Sequence, residues 1–101
     1  MSSIRIRAKT KGNLTNVKVL IRHPMETGLR KDKSGKTIPA HFIQEVNCTH
    51  NGKTVFKAIW GVAVSKNPYV SFNIKKASSG DQITVSWVDN LGKTDTNSVK
   101  I

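Results

Sequence analysis

The chain has 101 residues, enough for one domain that buries roughly 65% of its unfolded surface in a single core. One cysteine, Cys48, excludes a disulfide scaffold, and no apolar run approaches the length of a membrane span. Seventeen Lys and Arg against six Asp and Glu give a net charge of +11, which points to an acidic or anionic partner and says nothing about fold.

The dominant hydrophobic period is two, which predicts strands. Met1-Ser2-Ser3-Ile4-Arg5-Ile6-Arg7 alternates apolar and basic residues instead of forming the apolar segment of a secretion signal, so on its residues alone the chain reads as cytoplasmic. Ile4, Ile6 and Ala8 share one face, Arg5, Arg7 and Lys9 the other; that basic row also suits an edge strand that resists sheet-to-sheet aggregation. After a Lys11-Gly12-Asn13 turn, Val17, Val19 and Ile21 alternate with Lys18 and Arg22. Pro24 removes a backbone donor and biases His23 to extended geometry, so the ladder should stop there, and Gly28 permits the turn that follows. Residues 24–39 form a long polar connection carrying the basic run Arg30-Lys31-Asp32-Lys33.

Phe42, Val46 and Cys48 are expected on one face of the third strand, interrupted by Gln44, and Asn51-Gly52 signals a tight hairpin. Phe56, Ala58, Trp60 and Val62 line the returning strand. Ser65-Lys66-Asn67-Pro68 leads to Val70, Phe72 and Ile74; Ser78-Ser79-Gly80-Asp81 turns into Ile83, Val85 and Trp87; Asp89-Asn90-Leu91-Gly92 precedes Val99 and Ile101. About seven short strands without an amphipathic helix predict a single all-β domain over residues 1–101, an immunoglobulin-like antiparallel β-sandwich. Leu20, Ile43, Val55, Ile59 and Val88 fall opposite the core faces, which means either a phase slip at a bulge or an apolar patch covered by another chain.

The residues argue against chemistry of the chain's own. His23, His41 and His50 match no compact ligand spacing, so surface or loop histidines are expected, with no metal and no cofactor. Cys48 reads as a small buried hydrophobe, not a nucleophile, and the scattered carboxylates sit mostly at turns. No phosphate-binding loop or nucleophile elbow is present. A basic β-domain binding nucleic acid or another polyanion stays open on charge, although Tyr69 is the one aromatic outside the expected core faces and thus the one free stacking platform.

The segment Ile21 to Arg30, with Ile38-Pro39-Ala40-His41-Phe42-Ile43, Trp60-Gly61, Val64 to Tyr69 and Val85 to Asn90, resembles the SoxZ family of thiosulfate oxidation over essentially the whole chain. That resemblance implies an immunoglobulin-like sandwich and a non-catalytic subunit paired as a heterodimer with SoxY. The terminal, glycine-flanked cysteine of SoxY carries the sulfur intermediates to the other Sox enzymes, which dock transiently. It also implies a periplasmic protein exported together with SoxY, without a signal peptide of its own, and no nucleic-acid or membrane partner. Basic side chains in residues 30–36 would then face anionic adducts or acidic partners. The expected SoxY contacts are Arg22, His23, Met25, Glu26 and Arg30 on the loop, with Ile43, Val55 and Ile59 as apolar contacts.

Overall fold

A computed structural model describes residues 3–101; Met1 and Ser2, where the N-terminal reading begins, lie outside the described residues. Seven strands follow the alternation: β1 Ile4–Lys11, β2 Leu14–Ile21, β3 Ile43–His50, β4 Lys53–Ile59, β5 Tyr69–Lys75, β6 Gln82–Asp89 and β7 Thr94–Lys100. They form two antiparallel sheets, ordered β1-β2-β5 and β4-β3-β6-β7. The chain crosses between sheets after β2, β4 and β5, the long-connection pattern of a Greek-key sandwich and the one the strand count predicts. Among the described residues no helix is long and apolar enough to cross a membrane.

Alternation sets what is buried. Ile4 and Ile6, Val17, Val19 and Ile21, Val46 and Cys48, and Ile83, Val85 and Trp87 point between the sheets and form one core. Each fully buried Val or Ile is worth roughly 1.5–3 kcal/mol, so this inner layer dominates the stability of the domain. The Asn51-Gly52 hairpin has φ of +50° and +85°, as its turn type requires.

Two expectations change at strand ends. The β3 register against β6 shifts between Ile43 and Glu45, so the residue at Gln44 is taken up in a bulge. That shift turns Ile43 inward, where it is completely buried, and leaves Phe42 only partly buried against the core. Ile43 therefore belongs to the core and is not an exposed contact. β4 stops at Ile59, so Val62 lies beyond the strand and is exposed, not on its inner face.

The two sides of the sandwich close differently. β7 meets β1 through polar groups: Asn97 Nδ2 donates to the Ile4 carbonyl at 2.8 Å, and the Ser3 amide donates to Asp95 Oδ2 at 2.7 Å. On the far side the edge strands β4 and β5 carry Phe56 and Phe72, stacked at 5.2 Å between centroids with 8° between planes. β2, β4 and β6 end, and β1, β3, β5 and β7 begin, at one end of the molecule. That end holds the 22–42 and 60–68 connections and the β6–β7 turn.

Candidate functional site

The 22–42 connection is a folded-back arm. Glu26 and His41 form an antiparallel bridge, with the Glu26 amide donating to His41 at 2.7 Å and the His41 amide donating back at 3.0 Å. A second bridge joins Lys31 and Thr37, and the tip is closed by Asp32 Oδ1, which accepts from the Ser34 amide, the Ser34 hydroxyl and the Lys36 amide. These bonds hold the Asp32 carboxyl below its ordinary range, the Ser34 hydroxyl contributing most. Gly28 has φ of +86°, and a Cβ there would stand 3.2 Å from the Ala40 Cβ, so both conformation and space call for glycine.

The root of the arm is pinned by the other connections. His23 exchanges two hydrogen bonds with Asn67, amide to Oδ1 and Asn67 amide to carbonyl, both at 3.1 Å. Asn90 Oδ1 accepts from the Phe42 amide at 2.8 Å, and its Nδ2 donates to the Ala40 carbonyl at 2.9 Å. Met25 adopts φ of +47°, unusual for a non-glycine residue; its amide donates to His23 Nδ1 at 3.1 Å, and its buried sulfur accepts from the Ile43 amide at 3.3 Å.

Beneath the arm lies a buried polar cluster. Asp89 Oδ2 accepts from His23 Nε2 at 3.1 Å and from His41 Nε2 at 2.7 Å, while Oδ1 accepts from the Leu91 and Lys93 amides at 3.0 and 2.9 Å. Four donors occupy the four lone-pair directions of one carboxylate, so its capacity to accept hydrogen bonds is filled. Burial pushes the Asp89 carboxyl up, but the bonds from His23, His41, Lys93 and Leu91 outweigh it and hold it below the ordinary range. Burial likewise pushes His23 below its ordinary value, against the bond to Asp89. The Trp87 ring meets the His23 ring edge-on at 5.1 Å, and the two imidazoles stand 4.5 Å apart.

The ligand atoms of His23, His41 and Asp89 lie within 4.8 Å of one another, the spacing of a metal site. The proton arrangement speaks against that use. A metal-binding histidine donates its second ring nitrogen to an acceptor. His23 Nδ1 instead accepts from the Met25 amide, which fixes the proton on Nε2, the atom a metal would need. The constellation is a hydrogen-bonded clasp that ties β2, the arm and the β6–β7 turn together.

The expected contacts separate accordingly. Arg22, Glu26, Arg30, Val55 and Ile59 are at or near the surface, with Ile59 73% exposed. Arg30 grips Glu26 through Nε and a 2.6 Å bond from its terminal nitrogen, which lowers the Glu26 carboxyl. With Pro24, Met25, Thr27 and Lys66 this pair lines an open cleft of about 490 Å³. His23 and Met25 are buried along with Ile43, so the three offer almost no side-chain surface; the clasp and the Met25 sulfur bond engage their polar atoms. His41, expected as a surface or loop histidine, lies on the connection and is partly buried in the clasp; His50 pairs with Asp81 at 2.7 Å. Asp89, Asn67 and Asn90 were not anticipated as a unit, because their neighbours come from three distant connections and no local spacing marks them. Cys48 is completely buried, and burial pushes its thiol up to about 11.

Exposed apolar side chains favour the same end of the molecule. Leu20, Leu29, Ile59, Val62, Tyr69, Val88 and Leu91 all lie toward it, and among the described residues only Leu14 and Val55 lie away from it.

A family model described as "Sulphur oxidation protein SoxZ" matches residues 4–100. No curated protein matches the chain. Among solved structures, a hypothetical protein, PH1083, from Pyrococcus horikoshii OT3 superposes with a TM-score of 0.69 at 19% identity, over 97% of this chain and 86% of its own. A superoxide reductase in the oxidized state gives 0.67 at 19% identity, over 99% and 87%. At such identities the likeness shows the fold alone.

Proposed function

The chain belongs to the SoxZ family of sulphur oxidation proteins, and on that premise we propose that it is the non-catalytic subunit of a carrier complex in thiosulfate oxidation, pairing with SoxY and presenting it. The observation that carries this reading is a family match running from Ile4 to Lys100, the whole folded domain. The chemistry of the chain agrees with it. The one thiol is sealed in the core as a neutral group, and in the buried histidine–carboxylate cluster both Asp89 oxygens and both His23 ring nitrogens are committed to hydrogen bonds. In this reading the reactive sulfur belongs to the cysteine of SoxY, the other Sox enzymes act on it transiently, and the complex works in the periplasm after export with SoxY.

The contact surface we assign to SoxY is the apolar side of edge strand β4 and the adjoining end of the sandwich: Val55, Ile59 and Val88, bordered by Arg22, Glu26 and Arg30. An edge strand with exposed apolar side chains is costly to leave in water and is covered in most folds. The double substitution Val55→Asp plus Ile59→Asp, on residues that the core does not use, should abolish co-purification with SoxY while leaving the circular dichroism spectrum and melting temperature near those of the parent. Undiminished co-purification would show that SoxY sits elsewhere.

A further inference from the structure

Six of the seventeen Lys and Arg side chains share one sheet face. Arg5, Arg7, Lys9 and Lys11 of β1, Lys18 of β2 and Lys75 of β5 all project from the outer face of the β1-β2-β5 sheet, as the alternation and register require. All six are exposed, and none has a carboxylate partner among the described residues. At one corner of this face Leu20 and Tyr69 stand directly opposite each other, 37% and 59% exposed, beside Arg5, Arg7 and Lys18. The opposite outer face carries fewer cations: Thr84, Ser86, Thr96 and Ser98 are neutral, Lys57 is paired with Glu45 at 3.2 Å, and Lys100 is exposed at the end of β7.

We propose that this basic sheet face is a docking surface for a carboxylate-rich protein surface, engaged transiently by the carrier complex while SoxY occupies the β4 side. The inference rests on the reading above for its biological setting but on charge and geometry for the surface. Edge protection explains Arg5, Arg7 and Lys9 on the edge strand β1, but not Lys18, which lies on the central strand where no edge needs blunting. Backbone spacing sets Arg7 and Lys18 about 4.8 Å apart across strands and Arg5, Arg7, Lys9 and Lys11 about 6.8 Å apart along β1, both inside the roughly 8 Å Debye length of physiological salt, so their fields add, while Lys75 stands two strands from Lys11. Three strands and about eight residues give a face of roughly 14 by 27 Å, about 400 Å², the scale of a transient encounter and too small for a permanent interface. An apolar Leu20–Tyr69 contact flanked by guanidinium and ammonium groups suits a protein partner, with guanidinium groups able to grip carboxylates in a bidentate fashion. Single-stranded nucleic acid would call for a row of stacking platforms, and the face offers Tyr69 alone.

The test uses the full chain, alone and as the SoxY complex, with a fluorescein-labelled deca-glutamate peptide and a ten-nucleotide single-stranded DNA as probes. The peptide should bind at low salt and weaken at least tenfold when salt is raised about fourfold. Arg7→Glu plus Lys18→Glu should weaken it at least tenfold at low salt, Leu20→Ala plus Tyr69→Ala should leave folding intact, and the SoxY complex should bind as the free chain does. Equal binding by parent and charge-reversed chains would overturn the proposal. So would loss of peptide binding in the SoxY complex, which would make this face the SoxY interface. DNA binding tenfold tighter than the peptide and persisting at high salt would overturn it in favour of a nucleic-acid surface. Failure of the chain to pair with SoxY would sink the carrier reading and leave the probe result standing on its own.

Discussion

Asp89 is the residue on which the arm depends. It holds the β6–β7 turn with one oxygen and two imidazoles with the other, so replacing it leaves buried donors with no acceptor. Asp89→Ala should therefore destabilise the domain by about 3 kcal/mol, a fall of roughly 15 °C in melting temperature for a chain of this size, measured by calorimetry. The same cluster makes stability depend on pH. His23 is held neutral, below its ordinary value of 6.5, because burial disfavours the imidazolium and because Nδ1 must accept from the Met25 amide. A depressed folded-state value means that the contribution is fully present above about pH 6.5 and is lost as pH falls through the lower folded value. The urea midpoint should fall between pH 7 and pH 5, and His23→Gln should flatten that slope; an unchanged slope in the variant would place the titration at another group.

At the scale of elements, the arm and β3 show how little chain is needed to redirect a side chain. One residue absorbed at Gln44 exchanges Phe42 for Ile43 as the buried anchor of β3. Bulges of this kind leave alternation intact on either side, so periodicity raises a phase slip as one of two readings and does not choose it. Gly28 makes the complementary case, where the residue type did announce the geometry. Gly28→Ala places a Cβ in the left-handed region and within 3.2 Å of Ala40, and should cost about 1–2 kcal/mol. Hydrogen exchange should report that loss first at the Glu26–His41 bridge, whereas uniform weakening across the sheets would argue that the arm is not an independent unit. The Asp32-capped tip and the Glu26–Arg30 pair are solvent-exposed and contribute shape more than stability.

Over the whole molecule, two unlike outer faces sit back to back on one core. One is a basic sheet with no internal neutralisation; the other carries the Lys57–Glu45 pair and Lys100 among neutral side chains, with apolar side chains at its edge strand and along the end that carries the arm. Such an object can hold one partner by apolar burial and meet others through salt-dependent attraction without the two competing for area. The substitutions at Val55 and Ile59 and those at Arg7 and Lys18 probe these faces separately. Their effects should be additive, since the residues lie on opposite sheets with no shared partner.

The alternation of Ile4, Val17, Val46, Ile83 and their neighbours determined the seven strands and the inward faces, because a period of two leaves one solution once a core must be buried. The Asn51-Gly52 turn and the breaks at Pro24 and Gly28 were equally legible, since each is a local constraint on backbone angles. The resemblance in motifs from Ile21 to Asn90 supplied the family that the 4–100 match bears out. Only the tertiary structure decided that His23, Met25 and Ile43 are interior, that His23 and His41 meet on Asp89, and that six cations from three strands share one face. These facts depend on which strands become neighbours and where a bulge falls. Both are settled by contacts between residues far apart in the chain, which no local pattern records.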